Sequence, residues 1–441
     1  DKRVKLLWPS MGQLASRILS GICRSHGIDS IALPEADVHT AGRARAVASG
    51  KECIPSLLVL GAFLDFFAKT EIDPNRVYLL FMPLTTGPCR TGQYAIFYQN
   101  LFQELGYKNV VCLSLNSDNS YGELGTDFST RAWVGVILGD FMRDAQNTIE
   151  TLSANPVEAM KTFRAIEEEI ANAASGGPNA IWQGLPGWTD RLAAIPLRKK
   201  LSDSRKVLVV GEIFVRRDEY SVGPLTKLLS GRGIVAKITG LGEWIHYLDW
   251  DQVRRYKKLM NALPLLKRPF SPEFRKLAWL KIELLWKHRQ EVRMGKLFEK
   301  TGLIPHAPHD MKEIMARSFE FGHPELESEA SLSPAVSAIA MEDGWDGVAI
   351  ISPFACLPGR LIEATYGPWA RDRGMPVIAI ENDGNAYPPN VVSRIEIFAH
   401  NVSRGLRGEA VQDKPLHLVA CEVDETPAGG CATKEKLQPT R

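Results

Sequence analysis

Three of the chain's seven cysteines share a local context that bears on chemistry. GKECIPS around Cys53, TTGPCRTGQ around Cys89 and SPFACLPGR around Cys356 each set a cysteine on a turn near a proline, with a helical pattern following. Cys53-Ile-Pro-Ser and Cys356-Leu-Pro-Gly are nearly one tetrapeptide, and Pro55 and Pro358 fall where the first helical position is expected, a place that favours proline. Cys89 instead follows Gly87-Pro88. A thiol at a helix start feels the positive end of the dipole and unpaired amide groups. Both favour thiolate, the form a metal requires. Three thiolates fall short of a four-ligand structural zinc site, but they suit a 4Fe–4S cluster with one iron left open. Three unrelated half-buried cysteines is the competing reading, because the chain contains no CxxC.

The remaining cysteines and titratable residues rank lower. Cys23 and Cys112 lie among apolar neighbours and read as inert core thiols. Cys421 and Cys431 lie toward the C-terminus and carry no assignment. An odd number of widely spaced cysteines does not describe a disulfide framework. Glu212 follows a buried strand directly, with Arg216 one turn on, so it is a candidate proton donor or ligand-orienting carboxylate, or else a cap. His246 in EWIHYL is a second catalytic candidate, with a hydrogen-bonded structural histidine as its alternative. Arg90 and Arg360 adjoin proposed ligands and could offset cluster charge or bind a phosphate. The His306 and His309 pair flanks Pro308, which breaks the helix that would align two ligands, so a loop is expected there. Glu327 and Glu329 open a helix, where compensation of the dipole explains them.

These residues need elements to hold them, and the chain alternates strand and helix patterns. Strands are expected at 4–8, 30–33, 77–82, 109–115, 207–210, 234–238, 347–351 and 375–380, separated by helical spacing of apolar residues. That alternation predicts an α/β fold with parallel sheets flanked by helices, in whose open edges ligands sit beyond the carboxyl ends of the strands. A first lobe spans 1–202 with a helical extension and carries Cys53 and Cys89. A second spans 203–407 and carries Cys356, so a shared ligand would lie in the interlobe cleft. Residues 408–441 read as a flexible tail. The basic and aromatic stretch from 272 to about 300 reads as a buried amphipathic helix with a basic outer face rather than a nucleic-acid surface.

Composition agrees with a folded protein. The chain has 441 residues, 45% of them hydrophobic, and a net charge of +2, which gives no pull toward nucleic acid or anionic membrane. No apolar run reaches the ~20 residues of a bilayer span, and no signal peptide is evident, so a cytoplasmic location is expected. The first residue is Asp1, as in a processed form or a piece of something longer.

GKECIP, FMPLTTGPCRTGQY, NSYGELGTDFSTRAWVG, VVGEIFVR, EWIHYL, ISPFACLPGRLIEA and SRIEIFAHNV together resemble the benzoyl-CoA reductase and 2-hydroxyacyl-CoA dehydratase superfamily. Within it, the chain is most similar to the dehydratase-like region of large activase-associated proteins of anaerobes. The resemblance runs over about residues 3–404. It implies a 4Fe–4S cluster held by Cys53, Cys89 and Cys356 between two Rossmann-like lobes, and an ATP-hydrolysing activase that delivers an electron of very low potential. It also implies a small-molecule substrate such as an acyl-CoA, reduced or dehydrated through a ketyl radical. The chain has no G-x-x-x-x-G-K-[ST] loop, so ATP would act in trans. Dehydratases pair two different cluster-bearing subunits and this chain offers one, which leaves a dimer as an expectation. A non-catalytic iron–sulfur electron-transfer module and a three-thiolate zinc protein are the rival readings.

Overall fold

The computed structural model describes residues 3–85, 89–117, 121–305, 310–322, 326 and 328–405. His306, His309, Glu327, Cys421, Cys431 and the expected tail at 408–441 lie outside the described residues.

Two four-stranded sheets, both entirely parallel, organise the chain, as its alternating pattern requires. The first contains β1 (Val4–Trp8), β2 (Asp29–Ala32), β3 (Val77–Phe81) and β4 (Val110–Leu113) in the order β2-β1-β3-β4. The second contains β5 (Arg205–Gly211), β6 (Ile234–Ile238), β7 (Gly347–Pro353) and β8 (Val377–Asn382) in the order β6-β5-β7-β8. Every expected strand is present, with ends displaced by no more than two residues. Val207–Val210 and the whole of β7 are buried, as continuous apolar strands are when helices cover both faces. In each sheet the chain steps outward one way and then crosses to the other side of the first strand. Each Rossmann-like lobe therefore has a switch point, between β1 and β3 in one and between β5 and β7 in the other.

Helices α1 (Gln13–Ser25), α2 (Val38–Arg45), α3 (Ile54–Lys69) and α4 (Thr91–Glu104) serve the first sheet. Three more, α5 (Thr126–Leu152), α6 (Pro156–Ala174) and α7 (Pro178–Ala193), follow before the second sheet begins. That sheet is dressed by α8 (Glu219–Gly231), α9 (Leu241–Asn261), α10 (Pro272–Glu299), α11 (Met311–Ser318), α12 (Glu329–Glu342), α13 (Leu357–Asp372) and α14 (Pro389–Arg404). Helix α5 packs on α1 at one side and on β6 at the other, where Asn147 Nδ2 donates to the Ala236 carbonyl at 2.9 Å. One apolar core takes in Leu7, Phe63 and Leu80 together with Val209, Val222 and Ile351, so the lobes share an interior. Among the described residues no helix is long and apolar enough to cross a membrane.

Helix α10 departs from expectation. Leu277, Leu280, Met294 and Phe298 are buried, but Phe274, Trp279, Ile282 and Leu285 are exposed, so its outer face is apolar as well as basic. Equal periodicity on two opposite faces cannot say which face finds a partner within the fold.

Buried carboxyl groups make the fold sensitive to pH. Asp218, 1% exposed, caps α8 by accepting from the Ser221 amide at 2.9 Å, and burial pushes its pKa up to about 7. Glu243 is pushed up to about 7 by burial against the opposing pull of Arg216 and Lys237. A carboxyl with a raised folded-state pKa binds its proton more tightly folded than unfolded. Its contribution is therefore complete below the unfolded value and is lost as pH rises through about 7, at up to about 1.4 kcal/mol per pH unit per group. The urea midpoint is expected to rise between pH 7.5 and 5.5, roughly the window those values define, and Asp218→Asn should flatten part of the rise. A midpoint that falls over that interval would refute this account.

Candidate functional site

Cys53 and Cys356 are the N-caps of α3 and α13, in extended conformations with φ of −78° and −76°. Pro55 and Pro358 are the second residues of these helices, not the first. Cys89 stands one residue outside α4, whose cap is Arg90. Gly359 lets α13 start close against β7, since a Cβ there would lie 2.5 Å from Ser352 Cβ. Ala355, immediately before Cys356, is left-handed at φ 55°, a conformation that costs a non-glycine residue about 1–2 kcal/mol. The turn is held by the Phe354 amide on the Asn382 carbonyl (2.9 Å) and by Glu381, which takes the Ala355 amide and the Arg360 guanidinium.

A cavity of about 250 Å³ opens between the carboxyl edges of the two sheets. Trp8 and Met82 reach it from the ends of β1 and β3, Glu212 and Phe214 from the end of β5, and Cys356 from the turn after β7. Both switch points thus face one cavity, the place where open parallel sheets bind ligands. Cys89 lines it directly, whereas Cys53 stands behind the lining residue Pro55.

The three thiols share an electrostatic environment. Burial pushes the Cys53 thiol up to about 11, opposed by Tyr94, whose hydroxyl accepts from the Cys53 amide and donates to Sγ, both at 3.0 Å. The Ser56 and Gly359 amides favour the thiolates of Cys53 and Cys356, although neither closes a capping hydrogen bond. Burial, and then the charge of Glu212, push the Cys356 thiol far above its ordinary value. Cys89 is exposed as a residue, yet enough protein surrounds its thiol to raise it too, against a contact with Thr91 Oγ1 at 3.2 Å. Glu212 acts on all three thiols. Cys23 is fully buried and Cys112 half-buried in β4, and both thiols are raised by burial.

Glu212 sits where a proton donor is useful. Its carboxylate accepts from the Phe214 and Val215 amides at 3.1 and 2.8 Å, while burial and the charge of Glu329 push its pKa up to about 7. Glu329, the first residue of α12, lines the same cavity and accepts from the Ile213 amide at 3.3 Å. Dipole compensation alone misses that role, because nothing in the local sequence of Glu329 reports the β5 turn it faces. Lys287 also lines the cavity and is likewise invisible to sequence reading, being one cation among many on α10. It is 3% exposed and is neutralised by Asp249 at 2.9 Å and Glu283 at 3.1 Å.

The other candidates lie one layer out. His246 Nε2 meets Glu291 Oε2 at 2.8 Å, and its ring lies edge-on to Trp133 at 4.9 Å, so it backs a wall residue rather than facing the cavity. Arg90 donates to the Lys51 carbonyl at 2.5 Å, tying the Cys89 turn to the Cys53 turn, and its charge favours the Cys53 thiolate. Arg360 pairs with Glu363 at 3.0 Å and Glu381 at 2.6 Å. Each guanidinium braces a cysteine-bearing turn.

Among the described residues, no group of three or more His, Cys, Asp or Glu side chains is gathered closely enough to hold a metal ion. The donor chemistry nevertheless suits iron and sulfide. Soft thiols from both lobes, Cys89 and Cys356, line one cleft, with Cys53 behind Pro55, and each is a thiol whose proton a metal must displace. No family model matches the chain, and no curated protein matches it either.

Proposed function

We propose that the chain is an iron–sulfur protein of the 2-hydroxyacyl-CoA dehydratase and reductase type. In this reading Cys53, Cys89 and Cys356 hold a 4Fe–4S cluster with one iron open, and an ATP-hydrolysing activase supplies the electron. The bound substrate, an acyl-CoA in the dehydratases the motifs resemble, is reduced or dehydrated. One observation carries the reading: three cysteine-bearing turns from two lobes surround a single cavity at both switch points, under the charge of one carboxylate. When bound, the cluster supplies single-electron chemistry at low potential.

The chain's own residues do the rest. Trp8, Trp133, Phe214 and Trp244 give the cavity apolar walls that exclude water. Glu212, near neutrality in its titration, can give or take a proton at the substrate. Tyr94 fixes Cys53, and Arg90 and Arg360 hold the turns. A pure electron carrier has no use for a 250 Å³ apolar cavity beside its thiols, which favours an enzyme. Anaerobic purification with iron, sulfide and zinc analysis tests the assignment. About four iron and four sulfide per chain are expected for such a cluster; stoichiometric zinc without iron would overturn it.

A further inference from the structure

The hairpin formed by α9 and α10 ends in an apex of unusual composition. Leu265, Leu266 and Phe270 there are 75%, 88% and 85% exposed. The apolar surface continues along α10 through Phe274, Trp279, Ile282 and Leu285, on the side opposite its buried Leu277 and Leu280. At 100° per residue, Phe274, Ile282 and Leu285 share an arc of about 80°, with Trp279 about 60° beyond one end of it. A helix that is apolar on two opposite faces has a second packing partner to find, and a contiguous apolar surface of this kind marks an interaction site.

Charge identifies the partner's chemistry. Between residues 254 and 281 the sequence holds nine Lys or Arg and a single Glu, although the whole chain carries only +2. Lys257, Lys267, Arg275 and Lys281 are exposed within that stretch. On the helical wheel Arg289 falls inside the apolar arc itself, and Lys281 and Arg275 border it, each about 20° beyond one end. Cations interleaved with apolar groups on one face suit a protein surface whose carboxylates can pair with them. A bilayer instead wants its cations segregated from the inserted face. A second copy of the same surface would set cation against cation.

We infer that the outer face of α10 and the hairpin apex form a docking surface for an amphipathic helix of a partner protein, apolar along one stripe and acidic on its flanks. Helix-in-groove recognition reads such a stripe through anchors at i, i+3 and i+7. The surface lies on the arm whose two helices also supply Trp244 and Lys287 to the cavity wall, so docking would occur on an element that reaches the site.

Two fluorescein-labelled synthetic peptides test this, each an amphipathic helix with one leucine stripe, flanked by Glu in one and by Lys in the other. Anisotropy titration of the full chain is expected to show saturable binding of the acidic peptide and at least tenfold weaker binding of the basic one. Binding of the acidic peptide should weaken as salt is raised. The exposed double substitution Ile282→Glu with Leu285→Glu should weaken it at least tenfold while leaving the circular dichroism unchanged, and Phe270→Ser with Leu266→Ser provides an independent second variant. Equal binding of the two peptides, no binding of the acidic one, or co-sedimentation with phosphatidylglycerol vesicles in place of peptide binding would overturn the inference.

Discussion

A chain carrying Cys356→Ala, loaded anaerobically with iron and sulfide, is expected to retain less than about one iron where the parent retains about four. The same loss is expected for Cys53→Ala and Cys89→Ala, because a cluster with one open iron has no spare ligand to lose. Cys112→Ser should keep the full complement, since that half-buried thiol belongs to β4. Iron content together with the visible chromophore gives the readout, and circular dichroism separates loss of metal from loss of fold. Chromophore retained in all three alanine variants would sink the ligand assignment. Cys53 makes the most informative variant, because it touches the cavity only through its neighbour Pro55. Tyr94 and Arg90 already hold its turn in place, so losing the thiol removes a donor without removing the turn.

Gly211→Ala is expected to be the most damaging small substitution in the second lobe. Gly211 ends β5 at φ 119°, a region open to glycine alone, and a Cβ there would stand 2.0 Å from the Ile351 carbonyl oxygen of β7. That oxygen is backbone of the buried strand β7, at the last pair of its ladder with β5, and it also accepts from the Glu212 amide at 3.0 Å, so it cannot step aside. A loss of at least about 3 kcal/mol in urea unfolding is expected, from left-handed strain and overlap together. Any folded remainder should show a displaced Glu212. A loss under about 1 kcal/mol would show that the strands separate more easily than their burial suggests.

Much of the fold was legible. The buried strand Val207–Val210 and its counterpart in β7 are apolar runs bounded by glycine or proline, and the pattern placed them within two residues. Helix α2 gives little periodicity over its eight residues, although Asp37 and Thr40 form a capping box there. The outer face of α10 was read as basic alone, since periodicity counts apolar positions without knowing which neighbours exist. Glu212 and the three cysteine turns were visible through strand ends, prolines and one repeated tetrapeptide. Tyr94 and Lys287 are not, and Glu329 is legible only as a helix opener, because each matters at the site through a residue far away in the chain.

The sequence alone determined the α/β class, the parallel strands and the helix-start setting of Cys53 and Cys356, because these depend on periodicity, proline and glycine within a few residues of one another. Only the tertiary structure decided that both switch points open onto one cavity, that Glu212 acts on all three thiols, and that His246 turns to Glu291 instead. Packing of α5 between the sheets and a core shared by both lobes bring those groups together. Burial then sets their proton affinities. Local sequence carries neither kind of information, because desolvation and charge coupling depend on whatever the rest of the chain places alongside.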